Sequence, residues 1–484
     1  MNPFSKVLSI TFSQESFYSW VLTVLLSILT LVHLFFPFTL WFFIIVMILS
    51  AWIIFYHPVS GLTASILTTM VWERWFTLSP IVLFNTSYKL YPLDIILFLV
   101  VVSLILHAVF HPLRHSYRLS SLDKSVLVWI AIVSLVAVVS NNSFVTVISA
   151  WKNYVFYAII YFLAVWLFHD SKRLQTFSSQ FITTSVFLLV FLVIGILLGR
   201  GLWSEYTPLS TSGTRLLAST HAYYISLAGF LLLVQALFKR YLISAVTSWS
   251  VLACQTIGLA VSLFRNLWLG VAVAFSQLFL SASTFVRQRL TVIFLKGFGL
   301  LAVLAVIATI LFQAYPDASV WHSEQLSSMG ERLSTFTQPT VIPDDSTAWR
   351  LSAWQGALSN WLESPVWGKG LGAVVRFKYN EKDQEIVSAG LHNDWLAFLT
   401  QMGVLGLGAI LAVLFFAYRA SRNVIRNPLL HSTQVFPLLL GWTGILTIFV
   451  VAAFFGTYFD TNLLSIFFWL SLGMIRSLTS NLHA

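Results

Sequence analysis

Residues 17–36 read FYSWVLTVLLSILTLVHLFF, twenty positions without an aspartate, glutamate, lysine or arginine. A helix of that length rises about 30 Å, the thickness of a bilayer's hydrocarbon core. The run is longer than the apolar core of a signal peptide and lacks a small-residue cleavage site, so it is expected to remain as an anchor. The rest of the chain has the same character. Hydrophobic residues fill 58% of its 484 positions, charged residues only 9%, and the mean hydropathy is +0.85. Soluble domains carry about 25% charge, so most of this surface must meet lipid.

Thirteen runs of spanning length, bounded by charge, proline or polar clusters, centre near residues 27, 47, 101, 133, 157, 189, 227, 252, 274, 301, 405, 444 and 467. All are expected as helices, because lipid offers no partner to the backbone groups of an open strand edge. The expected fold class is therefore all-α, a polytopic membrane bundle of about 12–14 helices. Gly61 to Phe84 is apolar but carries Glu73 and Arg74, which leaves a crossing, a re-entrant piece or an interfacial helix open. The short connections His111 to Lys124, His169 to Arg173, Lys239-Arg240, Arg287 to Arg289 and Tyr418 to Arg426 are basic and read as cytoplasmic. Their alternation places Gly201 to Arg215, Phe264 to Asn266 and Ala314 to Leu391 outside, and an N-terminus inside then requires fourteen crossings. The chain divides into N-terminal helices (1–313), an external loop module (314–391) and C-terminal helices (392–484). The net charge of +10 is accounted for by loop topology, so a bilayer rather than a nucleic acid is the expected partner. The single cysteine, Cys254, excludes an intramolecular disulfide and a cysteine-built metal site.

The external loop holds nine of the seventeen acidic residues. After the candidate caps Asp345 and Ser346, Leu351, Trp354, Leu358 and Trp361 recur at helical spacing, predicting an amphipathic helix that lies along the membrane or covers a cavity. Gly368, Gly370 and Gly372 fit a close turn; no expected strand precedes them, which disfavours a phosphate loop.

Four positions could carry chemistry. Arg265, between two apolar runs, is either an interfacial anchor or the holder of an anionic group. Arg350, in the first turn of the loop helix, is either a solvated arginine or a second anion contact. His392 stands just before the apolar helix that opens Asn393-Asp394-Trp395. A helix N-terminus favours an anion, and a neutral imidazole there can accept a proton. His221 occupies a similar helix start near Arg215 and is the rival base. His322, Glu324, Asp344 and Asp345 show no ligand spacing that builds a metal site, and no G-x-S-x-G marks a serine nucleophile.

His392-Asn393, nine residues, then Gly403-Val404-Leu405-Gly406 resembles the His-Asn-x9-Gly-x-x-Gly signature of the O-antigen ligase and polymerase family. Arg265 to Leu269 is similar to its Arg-x3-Leu motif, and Trp349-Arg350 with Pro365 and Gly368 to Gly372 is similar to its loop pattern. The resemblance covers about residues 215–415. It implies a metal-independent, cofactor-free glycosyltransferase of the polytopic GT-C type in the bacterial cytoplasmic membrane, acting on its periplasmic or extracellular side. The implied partners are an undecaprenyl-diphosphate-linked glycan donor and a glycolipid or glycan acceptor, with inversion at the anomeric carbon. Carried over, His392 is the base or acceptor-orienting group. Arg265 and Arg350 hold the diphosphate, with Asn393, Arg215 and His221 in the substrate-binding region. The single large loop favours a ligase; a repeat-unit polymerase, or a transporter for an anion or small solute with Arg265 on its pathway, are the alternatives.

Overall fold

The structure, a computed structural model, describes residues 14–83, 86–88, 90–110, 118–198, 217–284, 286–292, 295 and 345–481. Its first half comprises α1 (Gln14–Phe35), α2 (Leu40–Tyr56), α3 (Pro58–Trp72), a one-turn α4 (Arg74–Thr77), the hairpin β1 (Ile81–Leu83) and β2 (Thr86–Tyr88), α5 (Pro92–Phe110) and α6 (Ser121–Val139). Next come α7 (Phe144–Trp151), joined by a π-helical turn over Lys152–Phe156 to α8 (Ile159–Leu167), then α9 (Ser171–Leu198), α10 (Ser219–Leu237), α11 (Ala245–Val261) and α12 (Arg265–Ser281). The external module supplies α13 (Asp345–Glu363) and the hairpin β3 (Val374–Tyr379) and β4 (Lys382–Val387). The chain closes with α14 (Asp394–Ile425), α15 (Phe436–Ala452) and α16 (Asn462–Asn481). Every expected apolar run coincides with a helix except the one centred on 301, which lies outside the described residues.

The fold is an all-α polytopic membrane bundle. Among the described residues, eight helical stretches are long and apolar enough to cross a bilayer. Peripheral helices turn large apolar side chains outward, as with Trp41, Trp52, Phe98 and Val138, which lipid can cover. The central helices α3, α10, α15 and α16 are buried along most of their length. The segment that began at Gly61 is buried inside the bundle. Its helix α3 starts at Pro58, has residues 59–70 buried, and packs among α1, α2, α5 and α9. Fifteen residues rise only about 22 Å, less than the hydrocarbon thickness. Its Ser and Thr residues meet protein, not lipid, which is why no long apolar pattern marks it.

Polar contacts sort the helix ends into two sets. At one end Arg173 holds Glu15 at 2.5 Å, Ser60 donates to the Glu15 carbonyl, and Tyr18 stacks on His57. There too Asp123 closes a capping box with Ser120 and accepts from Tyr161 Oη at 2.6 Å and Arg476 Nε at 3.1 Å. Arg240 reaches Ser432 O and Arg289 reaches Leu237 O at the same end. These are the segments read as basic connections. At the opposite end, Tyr157 Oη donates to Asp94, Lys152 pairs with the same carboxylate, and Asn462 donates to Thr77 O and Tyr157 Oη. Residue 292 lies by the basic end and α13 by the other.

The external module has its own small core, in which Ala353 and Ala357 of α13 meet Val375, Phe377 and Leu391. Small residues let the helix sit close on the β3–β4 hairpin. Leu351, Leu358 and Leu362 are left on an exposed apolar face. That hairpin was not legible as strand. A register of Arg376 opposite Glu385 and Lys378 opposite Asp383 sets opposite charges side by side along the ribbon.

Between the module and the bundle, α14 is broken at Gly403, whose φ of 59° and ψ of −159° lie outside the helical region. The break frees backbone groups on both sides, and a buried helix cannot leave them unpaired. The loop Pro365 to Gly372 fills it. Val404 N donates to Pro365 O at 2.9 Å, while Lys369 N and Gly370 N donate to the carbonyls of Thr400 and Gln401. A Cβ at Gly403 would overlap the Val366 carbonyl, and one at Gly368 would overlap the Gln401 backbone. Gly368, Gly370 and Gly372 all have positive φ. The glycine run is thus a turn keyed into a broken helix, with a strand following it instead of preceding it.

Candidate active site

Three chain segments converge at the end of the bundle opposite the paired basic connections. The first is the tight turn from α11 to α12. Only Ser262, Leu263 and Phe264 separate the two helices, and Leu263 is forced to a φ of 59°, which costs a bulky residue about 1–3 kcal/mol. Trp268 Nε1 donates across the turn to Leu259 O at 2.8 Å. This geometry puts Arg265 at the first position of α12, half-buried.

The second segment carries His392. A single 3₁₀ turn, Ser388–Leu391, ends with His392 in the left-handed region at φ 52° and ψ 31°. The next residue, Asn393, is buried and caps α14 by accepting from Leu396 N at 3.1 Å. Its side-chain oxygen is committed to holding the helix start, a role the sequence reading did not give it. His392 lies edge-to-face with Trp349 at 6.3 Å between ring centroids, which brings α13 and Arg350 to the imidazole. Burial, and then the nearby Arg350 guanidinium, lower the pKa of His392. The ring is therefore neutral near pH 7 and able to accept a proton.

The third segment is the turn between α15 and α16. Asp394, directly after the Asn393 cap, accepts from Tyr458 N at 2.7 Å and Phe459 N at 3.1 Å, and its own amide donates to Ala453 O. Tyr458 Oη in turn accepts from Asn266 at 2.9 Å. A chain of contacts thus runs from Arg265's neighbour through Tyr458 to Asp394, two residues from His392.

His221 is set differently. It is 1% exposed, stacked on Phe191, with Nε2 3.2 Å from Glu73 Oε1. That Glu73 stands at the break after α3 with a φ of 49° and also accepts from Thr220 Oγ1. The His221 imidazole is thus buried against a carboxylate inside the bundle, not exposed at a helix start. Arg215, His322, Glu324 and Asp344 lie outside the described residues.

Sequence reasoning missed Gln401 and the acids Asp394 and Asp460. Gln401 accepts from Gly372 N with one amide atom and donates to Tyr154 Oη with the other, joining the loop to the π-helical turn after α7. A polar Gln one position from a Met in an apolar helix was the available signal.

Fold and site together define a polytopic helical membrane protein with a histidine and arginines gathered at one end of its bundle, under a small extramembrane module. Residues 249–411 match the family model described as O-antigen ligase. The matched span runs from α11 to the middle of α14 and includes Arg265, Arg350, His392 and Gly403, but neither His221 nor Asp460. This match supports a glycosyltransferase-like membrane enzyme of the O-antigen ligase and polymerase kind. No curated protein matches the chain.

Proposed function

We propose that this protein transfers a saccharide from an undecaprenyl-diphosphate carrier to an acceptor hydroxyl on the outer face of the cytoplasmic membrane, as an O-antigen ligase does. The observation that carries the reading is the contact chain from Asn266 through Tyr458 to Asp394, which ties the arginine turn to the histidine turn although 126 positions separate Asn266 from His392. The reaction needs a base at the acceptor hydroxyl and fixed positive charge where the diphosphate departs. His392, neutral near pH 7, supplies the first, taking the hydroxyl proton as the oxygen attacks the anomeric carbon and the carbon–phosphate-oxygen bond breaks. Arg265 and Arg350 supply the second, since guanidinium meets phosphate oxygens in pairs and stays charged where water is scarce. A single displacement inverts the anomeric centre. His392 and the arginines carry it without a metal.

The filled break in α14 weighs against a transport pathway there. Transporters leave such unwound backbone facing a cavity, whereas here Pro365 to Gly372 occupy it. The test incubates purified protein with a diphosphate-linked oligosaccharide and, separately, lipid A core, a second lipid-linked glycan and a hydroxyl-bearing peptide. Sugar on lipid A core identifies a ligase and sugar on the second lipid-linked glycan a polymerase. Uptake into vesicles without transfer to any acceptor would overturn the proposal.

A further inference from the structure

Two acids sit together beneath the His392 bend, and neither was assigned a role by the motifs. Asp394 is 1% exposed, and its Oδ2 takes two backbone N–H donors from the α15–α16 turn. Its Oδ1 is buried and has no hydrogen-bond partner among the described residues. Asp460, in that same turn, likewise buries an Oδ2 without a partner there. Tyr154 lies beside the Asp460 carboxyl, and Asn153 donates to the Asp460 main-chain carbonyl at 2.5 Å. The titratable groups facing the two carboxyls are each other, Tyr154 and Tyr458. None of them is a cation.

Two adjacent carboxylates cannot both remain ionised in such a place, because burial and mutual repulsion each favour a bound proton. An uncharged second acid changes the accounting. A proton on one carboxyl removes the repulsion and turns an orphaned acceptor into a donor, and a buried polar atom left without a partner costs about 1–3 kcal/mol. The two backbone donors on Asp394 favour its ionised form, which leaves the proton on Asp460. Burial favours a bound proton on either carboxyl, so the backbone donors decide between them.

We infer that Asp394 and Asp460 hold one proton between them, and that this singly ionised pair pins the His392 bend to the α15–α16 turn and so keeps histidine and arginine in register. Both acids are positioning residues. The pinning of a catalytic bend rests on the proposed function; the shared proton does not.

The test compares wild type, Asp460→Asn and Asp394→Asn as full-length protein in nanodiscs. Infrared difference spectra should show the C=O band of a protonated buried carboxylic acid in the wild type, and Asp460→Asn should remove it. Apparent Tm is then followed from about pH 5 to about pH 8. The folded pair holds its proton more tightly than the unfolded chain, so wild-type stability falls as pH rises above the unfolded carboxyl pKa until the folded pKa is passed. Asp460→Asn, a permanent mimic of the protonated form, should at least halve that slope. A wild type without the band, or an Asp460→Asn slope equal to that of wild type, overturns the pair. Should Asp460→Asn not fold, the wild-type band and slope decide alone. Neither measurement involves glycosyl transfer, so a wild type inactive toward every acceptor would sink the proposed function and leave the pair standing.

Discussion

Both ends of this bundle bury acids, and Asp94 at the second end is as fully partnered as Asp123 at the first, but only the second end also holds acids with an orphaned oxygen among the described residues. At the end of the basic connections, Asp123 has every partner it needs, from Ser120 N, Tyr161 Oη and Arg476. At the other, Asp394 and Asp460 each keep an oxygen without a donor among the described residues. Backbone strain follows the same division. Glu73, Leu263 and His392 are forced to positive φ at the second end, with Lys239 alone among the described residues at the first. Helices are also interrupted towards the second end, at Gly403, at Glu73 and over Lys152–Phe156. A satisfied end stabilises; an end that carries unsatisfied groups and strain is where a fold commits stability to positioning side chains.

The largest effect that would break this contrast is at His392. His392→Ala should lower transfer by about 100- to 10,000-fold, the usual contribution of a positioned base, with little change in apparent Tm. Arg265→Ala should behave alike. Full transfer in both variants would leave the second end without catalytic meaning.

Arg476→Ala attacks the satisfied end. Asp123 is fully buried, so removing its cation should cost about 3–5 kcal/mol of stability, read as loss of folded protein on heating. Transfer per folded molecule should stay at the wild-type level. A specific activity that falls with Arg476 would mean that the two ends are coupled and the division is false.

Gly403→Ala tests the junction between module and bundle. An alanine there must take a positive φ and overlap Val366 O, so the Pro365 to Gly372 loop has to withdraw from the break. About 1–3 kcal/mol of stability should be lost, with transfer falling further than the stability change explains, because the loop carries α13 and Arg350. Wild-type stability in this variant would show that the break is not held by the loop.

Much of this could be read before any coordinates. Long charge-free runs state their own helices, because nothing else satisfies a backbone in lipid. The spacing from His392 to Gly403 was also legible. Its physical content was not. Gly403 is a break to be filled by a loop more than thirty residues upstream, and such a partner lies beyond any local pattern. The β3–β4 hairpin was hidden because only β3 alternates apolar with charged residues, Val375, Phe377 and Tyr379 against Arg376 and Lys378, while β4 opens Lys382-Asp383-Gln384-Glu385 without an apolar position. Asp394 was quoted only as a neighbour of His392, and Asp460 is an isolated acid with no periodic context. Their relation exists only once α14 and α16 are side by side.

The smallest predicted effect is the sharpest probe of which arginine acts at the histidine. Arg350 sits close enough to His392 to lower its pKa, adding to what burial does. If His392 must be neutral to accept a proton, transfer falls at acidic pH as the ring is protonated, and the midpoint of that limb should lie below the ordinary histidine value of about 6.5. Removing the guanidinium relieves the repulsion, so Arg350→Ala should move the midpoint upward, while Arg350→Lys, which keeps the charge, should leave it near wild type. Burial is the larger cause and persists in both variants, so even Arg350→Ala should stay below the free-histidine value. A limb that does not move in Arg350→Ala would mean that the arginine serves the leaving group alone, and a limb that moves downward would place an acid, not an arginine, as the dominant neighbour of the ring.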